Sequence, residues 1–403
     1  MTPRMKRSLH FPFLFLFLII TVAAALICLA GFASEIEPPS TSASDVEAPT
    51  SALVRLAAGE AGDSDLRNEA DDLLQSNLDS FDSGGGRYRS ISLWWRGPQP
   101  NGRTRSLARL RFPVGPRATS DYRALLPDFR RSLGGWIRRR RPSPQASSAA
   151  IMSQLVELIK RPVDLHYGYP DTRRPYATCA VVGNSGVLLG SGHGDVIDGH
   201  DLVIRLNNAR TAGFARDVGS KTSLAFVNSN VLHLCSRREN CFCHPYGDFV
   251  PIVMYICQLA HFLDYVVCNS SFKSPLLVTD AQFDALCAKI TKFYSLKRFV
   301  EETGKPPEEW SKAHDEKMFH YSSGMQAIML ALGICDQVNV FGFGKSVEAK
   351  HHYHTNQKAE LDLHDYKAEY DFYRDLVVRP QVIPFLKDSN FKVPPIVFYQ
   401  LDG

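Results

Sequence analysis

The stretch CAVVGNSGVLLGSGHGDVIDGHD, residues 179–201, decides how the chain is read. A β-branched apolar run, Thr178 to Val182, breaks into a glycine-rich segment. A strand delivering a glycine turn is a common preparation for a nucleotide phosphate. The dinucleotide fingerprint is G-x-G-x-x-G directly after a strand and opening a helix. Here Gly183 and Gly186 are spaced G-x-x-G. The next cluster, Gly190, Gly192 and Gly194, reads G-x-G-x-G with no strand immediately before it. The template is missed, so a nicotinamide or flavin site is the lesser reading, beside that of a turn-rich surface loop. The residues point instead to a different nucleotide site.

Outward from this stretch, short β-rich runs recur after about Ile151: TCAVV, DLVIRLN, TSLAFVN, PIVMYI, PLLVTD, QVNVFGF and PPIVFYQ. Helical stretches such as SSGMQAIMLALGI and LHDYKAEYDFYRDLVV separate some of them. Apolar strands alternating with helices predict an α/β domain with a mainly parallel sheet over residues 151–403. Ligands bind such sheets at the carboxyl ends of the strands, which places Gly183–Gly186 and Asn207-Asn208 at one rim.

The chain has 403 residues, 44% of them apolar, and a net charge of +4, too small to imply nucleic acid. Its N-terminus is patterned differently from the rest. Residues 1–8 carry Arg4, Lys6 and Arg7 and precede an apolar run, 9–33. That run is about 25 residues long, enough to cross a bilayer as a helix. Glu35, Glu37, Asp45 and Glu47 follow, and basic residues stay cytoplasmic, so the bulk of the chain is expected to be lumenal behind a signal anchor. A cleaved signal peptide, cut after Gly31-Phe32-Ala33, is the rival reading.

Residues 34–150 read as a stem. Its start, EPPSTSASDVEAPTSA, has a linker composition. Asp63-Ser64-Asp65 is a D-x-D match, a signature that many sugar-transfer enzymes use for a divalent cation, but it sits among solvated stem charges. From Arg103 to Arg141 the balance turns basic, ending in Arg138 to Arg141; this is either a solvated linker or a docking strip for an acidic partner. Trp94, Trp95 and Trp136 imply that parts of the region pack onto something.

Of nine cysteines, Cys28 lies in the apolar run and eight lie beyond it. In an oxidising lumen these are expected to form disulfides, whose pairing spacing alone does not give. Cys235, Cys241, Cys243 and His244 lack the C-x-x-C spacing of a zinc site, which favours a disulfide-stapled loop. Asn269-Ser270-Ser271 is a sequon and fits lumenal placement.

Four stretches together resemble the motifs of the sialyltransferase family, glycosyltransferase family 29. CAVVGNSGVL with IDGHDLVIRLNNARTAGFARDVGSKTS resembles its large motif, and YSSGMQAIMLALGICDQVNVFGFG its small motif. HHYHTN and HDYKAE resemble its third and very small motifs. They stand in the family's order over most of Ala177 to Tyr370, and the basic stem is most similar to the plant sialyltransferase-like branch. The resemblance implies a Golgi type II membrane enzyme with one Rossmann-like nucleotide-binding domain, a variant of the glycosyltransferase A type. It would transfer a sugar acid, sialic acid or a relative such as Kdo, from a CMP-sugar to a glycan hydroxyl with inversion.

Carried over residue by residue, the resemblance makes Asn184, Asn207, Ser322, Ser323, Gly324 and His352 contacts to CMP. It makes His364 the general base and Cys179–Cys335 the disulfide between the large and small motifs. Chemistry agrees in kind. A CMP-sugar carries one phosphate charge, which backbone N–H groups of the Gly183–Gly186 loop, hydroxyls and a protonated His352 can hold. No cofactor and no metal are therefore expected. Imidazole titrates in the range a general base needs. Glu369, five residues after His364, would sit about 140° around a helix, so it is not expected to orient that base. Read alone, the asparagines are turn residues, the serines are N-caps, and His351, His352 and His354 are surface polar groups or weak metal ligands.

One departure stands out. Animal relatives show an aromatic and then an acidic residue where this chain has His354 and Thr355. That keeps open a second function class, a non-catalytic Golgi protein that holds a glycan or a partner. The sequence names neither the acceptor nor the oligomeric state.

Overall fold

The computed structural model describes residues 43–59, 63–75, 122–139, 150–151, 176–232, 243, 245–247, 249–271, 276–314, 321–344, 349–355, 364–386 and 391–399. Two compact units divide the chain, Met1–Ala52 and Leu53–Gly403. The described part of the first is the start of helix α1 (Ala43–Ala58). The second holds a seven-stranded sheet: β1 (Tyr176–Val182), β2 (Leu202–Leu206), β3 (Leu224–Asn228), β4 (Ile252–Tyr255), β5 (Leu276–Val278), β6 (Cys335–Phe341) and β7 (Ile396–Tyr399). Each strand falls inside one of the seven runs read from the sequence or overlaps it.

Every pairing in the sheet is parallel, and the order is β5-β4-β3-β2-β1-β6-β7. The chain walks from β1 outward to β5, then crosses back to β6 and β7. Successive loops after β1 and β6 therefore leave in opposite directions, and their divergence opens a crevice at the carboxyl ends of these central strands. The central strands are apolar because both of their faces are covered. All five residues of β2 are buried, including Arg205, whose Nε donates to the Lys221 carbonyl at 2.9 Å and to Thr222 Oγ1 at 3.1 Å.

Four helices of the α/β domain matter for the crevice: α4 (Phe262–Ser271), α5 (Ala281–Thr303), α6 (Ser323–Ile334) and α7 (Tyr366–Val378). Two more helices, α2 (Asp63–Gln75) and α3 (Tyr122–Arg139), precede the sheet. Helix α6 is buried along its whole length, which its sequence SGMQAIMLALGI permits because no side chain in it carries charge. It packs in the same core as β1, β2, β3, β6, α5 and α7. Asp280 caps α5 by accepting from the Gln282 N–H at 2.8 Å.

The stem reading of residues 34–150 does not hold throughout. Phe129, Leu133 and Trp136 of α3, spaced i, i+4, i+7, are buried with Ala70 and Leu73 of α2 against Ile252, Met254 and Phe262. The Trp136 indole N–H donates to the Thr279 carbonyl at 3.0 Å. Arg131, Arg138 and Arg139 lie on the exposed face of α3, so the basic composition concealed an amphipathic helix. The globular unit therefore starts well before residue 151. Asp63 to Asp65 lie in the first turn of α2.

The 9–33 run, Trp94, Trp95, Arg140 and Arg141 fall outside the described residues, so the anchor expectation stays as stated. Among the described residues no helix is long and apolar enough to cross a membrane.

Cys179 and Cys335 are disulfide-bonded, with their Cα atoms 6.0 Å apart, joining β1 to the start of β6. Cys243 pairs with Cys268 of α4, which removes Cys243 from any zinc set. Cys235, Cys241 and His244 lie outside the described residues. Cys257 and Cys287 are unbridged. Asn269 is exposed on α4, accessible for glycosylation.

Candidate functional site

The glycine turn after β1 packs closely against two other backbone segments. The Gly183 N–H donates to the Phe341 carbonyl at 2.8 Å, the Ser185 N–H to that of Gly342 at 3.2 Å, and the Gly186 N–H to that of Lys350 at 2.9 Å. A Cβ on Gly183 would stand 2.5 Å from the Gly342 oxygen, and one on Gly186 equally close to the Lys350 oxygen. These glycines let three backbone segments meet. Three of the four amides from Gly183 to Gly186 thus already have acceptors within the fold, and the Asn184 N–H is the one left to meet a phosphate. The second glycine cluster is occupied likewise, since the Gly190 and Gly192 N–H groups donate to the Asp217 carboxylate at 2.8 and 2.9 Å.

What the turn presents is Asn184. Its carbonyl accepts from the Tyr353 N–H at 2.8 Å, and its side-chain Oδ1 is buried without a partner. At the end of β2, Asn207 adopts the left-handed region at φ 54°, which asparagine tolerates better than most residues. Its Oδ1 accepts from the Asn228 N–H at 3.0 Å.

Asn228 ends β3. Its Nδ2 donates to Ser323 Oγ at 3.3 Å, and its Oδ1 is buried without a partner. The sequence reading missed this residue, although TSLAFVN repeats the strand-then-asparagine pattern of DLVIRLN. Three asparagines thus sit at the carboxyl ends of three successive strands, beside the N-terminus of α6. Orphaned buried oxygens of this kind call for a ligand.

At α6 the two serines separate in role. Ser322 is the N-cap, its Oγ accepting from the Met325 N–H at 3.1 Å and donating to Glu369 Oε2 at 2.5 Å. Its N–H donates to Glu369 Oε1 at 2.6 Å. The single hydroxyl proton of Ser322 is therefore committed within the fold.

Glu369 also accepts from the Tyr373 hydroxyl at 3.1 Å. Burial pushes its carboxyl above the ordinary range, against the opposing pull of His364 and of these hydrogen bonds. Its hydrogen bonds to Ser322 hold the start of α6, and the His364 charge acts on it as well.

His364 immediately precedes Asp365, the N-cap of α7, and stands edge-on to the Tyr366 ring at 5.5 Å. Asp365 is anchored to α5. Its Oδ2 accepts from Ser295 Oγ at 2.6 Å and from Arg298 Nη2 at 2.9 Å, while its Oδ1 accepts from the Ala368 N–H at 3.2 Å. Burial raises its carboxyl, but the Arg298 and Ser295 contacts outweigh it and hold the group below its usual range. The segment bearing His364 is fixed by this carboxylate. Asp362 lies outside the described residues.

The third motif forms a tight hairpin closed by a bridge between His352 and Thr355. Tyr353 points inward, buried beside Phe214, with its hydroxyl donating to the Arg210 carbonyl at 2.6 Å. The rings of His352 and His354 stand parallel, 5.8 Å apart. Burial first, and then His354, push the His352 imidazole down to about 4. His352 is therefore neutral at neutral pH in the chain itself. This departs from the expectation of a standing imidazolium. Among the described residues no three His, Cys, Asp or Glu side chains are grouped to hold a metal ion.

Residues 130–380 match the model of glycosyltransferase family 29 (sialyltransferase). Sialyltransferase-like protein 1 of Oryza sativa subsp. indica is 49% identical over 98% of this chain and 100% of its own length. The beta-1,6-galactosyltransferase GALT29A of Arabidopsis thaliana is 47% identical over 98% and 100%. A rat CMP-N-acetylneuraminate-beta-galactosamide-alpha-2,3-sialyltransferase 2 is 28% identical over 61% of this chain and 64% of its own.

Proposed function

The chain belongs to glycosyltransferase family 29, and from that premise we propose that it is an inverting galactosyltransferase, moving galactose from a nucleotide donor to the 6-hydroxyl of a glycan. One observation carries the reading: the near end-to-end identity, 47%, with a protein named for that transfer. Galactose is an aldose activated through a nucleoside diphosphate, so the donor would be a uridine diphosphate sugar. The pyrimidine nucleotide lies at the crevice, met by Asn184, Asn207, Asn228, Ser323 and Gly324, with His352 at the phosphate. His364 takes the proton of the acceptor hydroxyl as that oxygen attacks the anomeric carbon and the nucleotide leaves from the opposite face. The uncharged oxygens of the asparagines suit a base and ribose rather than a phosphate, which leaves the phosphate to the histidine hairpin and the start of α6.

The second reading, transfer of sialic acid or a Kdo-like acid from a CMP donor, draws support from the match of Asn184, Asn207, Ser323 and His352 to family positions that contact CMP. In both readings the enzyme is a Golgi type II membrane protein held by residues 9–33, with no metal required. The deciding experiment presents the purified chain with galactose-terminated acceptors and with UDP-galactose, CMP-sialic acid and CMP-Kdo in parallel. Galactose transfer with a 1,6 linkage is expected; sugar-acid transfer alone would overturn the leading reading, and no transfer with retained nucleotide binding would favour the non-catalytic class.

A further inference from the structure

The histidine hairpin contains an imidazole that the reaction has not used. His354 lies in the turn of the hairpin, and its ring stands parallel to that of His352. Its Nε2 is buried without a hydrogen-bond partner. A buried polar atom left so is costly unless a ligand or water meets it. Beside it runs the loop after β2, which carries Asn207 and, three residues on, Arg210. The Arg210 backbone is pinned to the hairpin through the Tyr353 hydroxyl at 2.6 Å, and its side chain is exposed. Burial and the Arg210 charge both push the His354 imidazole down, which fits a guanidinium close by. His354, His352 and the Arg210 loop thus lie together at the hairpin to which the proposed function gives the phosphate. The chain presents two ring donors side by side where a nucleoside monophosphate would need one.

We propose that His354, supported by Arg210, is the residue with which this chain reads the second phosphate of its sugar donor, and so selects a nucleoside diphosphate sugar over a monophosphate one. The proposal rests on the galactosyltransferase reading and adds the means of donor selection to it. Charge-assisted contacts to phosphate are the strong class of hydrogen bond, and a nucleoside diphosphate offers one more anionic group for them than a monophosphate does.

The test is calorimetric titration of the whole lumenal chain with UDP, UMP and CMP in EDTA, for the natural protein and for His354→Phe, His354→Gln and Arg210→Ala. The natural protein is expected to bind UDP about tenfold or more tighter than UMP. His354→Phe should abolish that ratio while leaving UMP affinity unchanged; His354→Gln, which keeps a donor, should restore part of it. Arg210→Ala should shrink it. A purely structural role would weaken both nucleotides alike and lower Tm, and that result overturns the proposal. A natural protein that transfers galactose but whose UDP/UMP ratio ignores His354→Phe overturns the role of His354 alone. One that prefers CMP and transfers a sugar acid overturns the galactosyl reading and the role of His354 with it.

Discussion

At the scale of single residues, the site divides into groups that meet substrate and groups that hold them. His364→Ala is expected to lower turnover by roughly a hundredfold or more, with nucleotide affinity nearly unchanged, because the base meets the acceptor. His352→Ala should instead weaken nucleotide binding; steady-state kinetics beside titration separates the two, and the reverse pattern would exchange their roles. Asp365 gives a pH signature. Its carboxyl is held below the ordinary value in the fold, so its contribution to stability is present above the unfolded pKa and is lost as pH falls through the folded one. Asp365→Asn should lower Tm at pH 7, and the gap from the natural protein should begin to narrow near the unfolded pKa of about 4 and close only below the lower folded one, where both proteins lack the charge. A gap constant with pH would deny the ion pair with Arg298 its role. Sequence put Asn184, Asn207 and Ser323 at strand ends and at a helix start, and the structure places them there. It did not show that Ser322 belongs to Glu369, since those two are 47 positions apart and only the packing of α6 against α7 joins them.

At the scale of elements, periodicity was the reliable signal and composition the misleading one. All seven strands were legible because a strand buried on both faces must be a short apolar run bounded by polar turns. Helix α3 was hidden because its arginines dominate the count while Phe129, Leu133 and Trp136 do the packing. The Trp136 hydrogen bond to Thr279 fixes α3 against the end of β5. A chain beginning at residue 151 would expose the apolar faces of β4 and α4 and is expected to aggregate, whereas one beginning before α2 should stay soluble. In the longer chain, Phe129→Ala should cost about 3–5 kcal/mol as the cavity forms, read as a fall in the denaturation midpoint. A soluble, cooperatively melting 151–403 chain would show that α3 is dispensable.

At the scale of the whole molecule, the sheet order brings the site together from three places in the sequence: the large motif on β1 to β3, the small motif on α6 and β6, and the two histidine segments. The Cys179–Cys335 disulfide closes this arrangement across β1 and β6. Constraining so long a loop is worth on the order of 4 kcal/mol in the chain-entropy account; Cys179→Ser with Cys335→Ser should lower Tm with far less effect on the nucleotide contacts. The convergence also bears on the charge of the departing nucleotide. Its phosphate gains negative charge as the glycosidic bond breaks, and something must stabilise that charge. The start of α6 supplies unpaired amides and the positive end of a helix dipole. His352 can take up a proton once the anion is near, and Arg210 brings a full charge to the same corner. Fixed donors of this sort are each worth a few kcal/mol at a developing anion, so protein groups are sufficient in magnitude without a cation. Transferase activity of the purified chain is therefore expected to persist in excess EDTA, with at most a small change in the Michaelis constant for the donor. Loss of activity that one divalent ion restores would overturn this, and would move His352 and His354 from phosphate contacts to metal ligands.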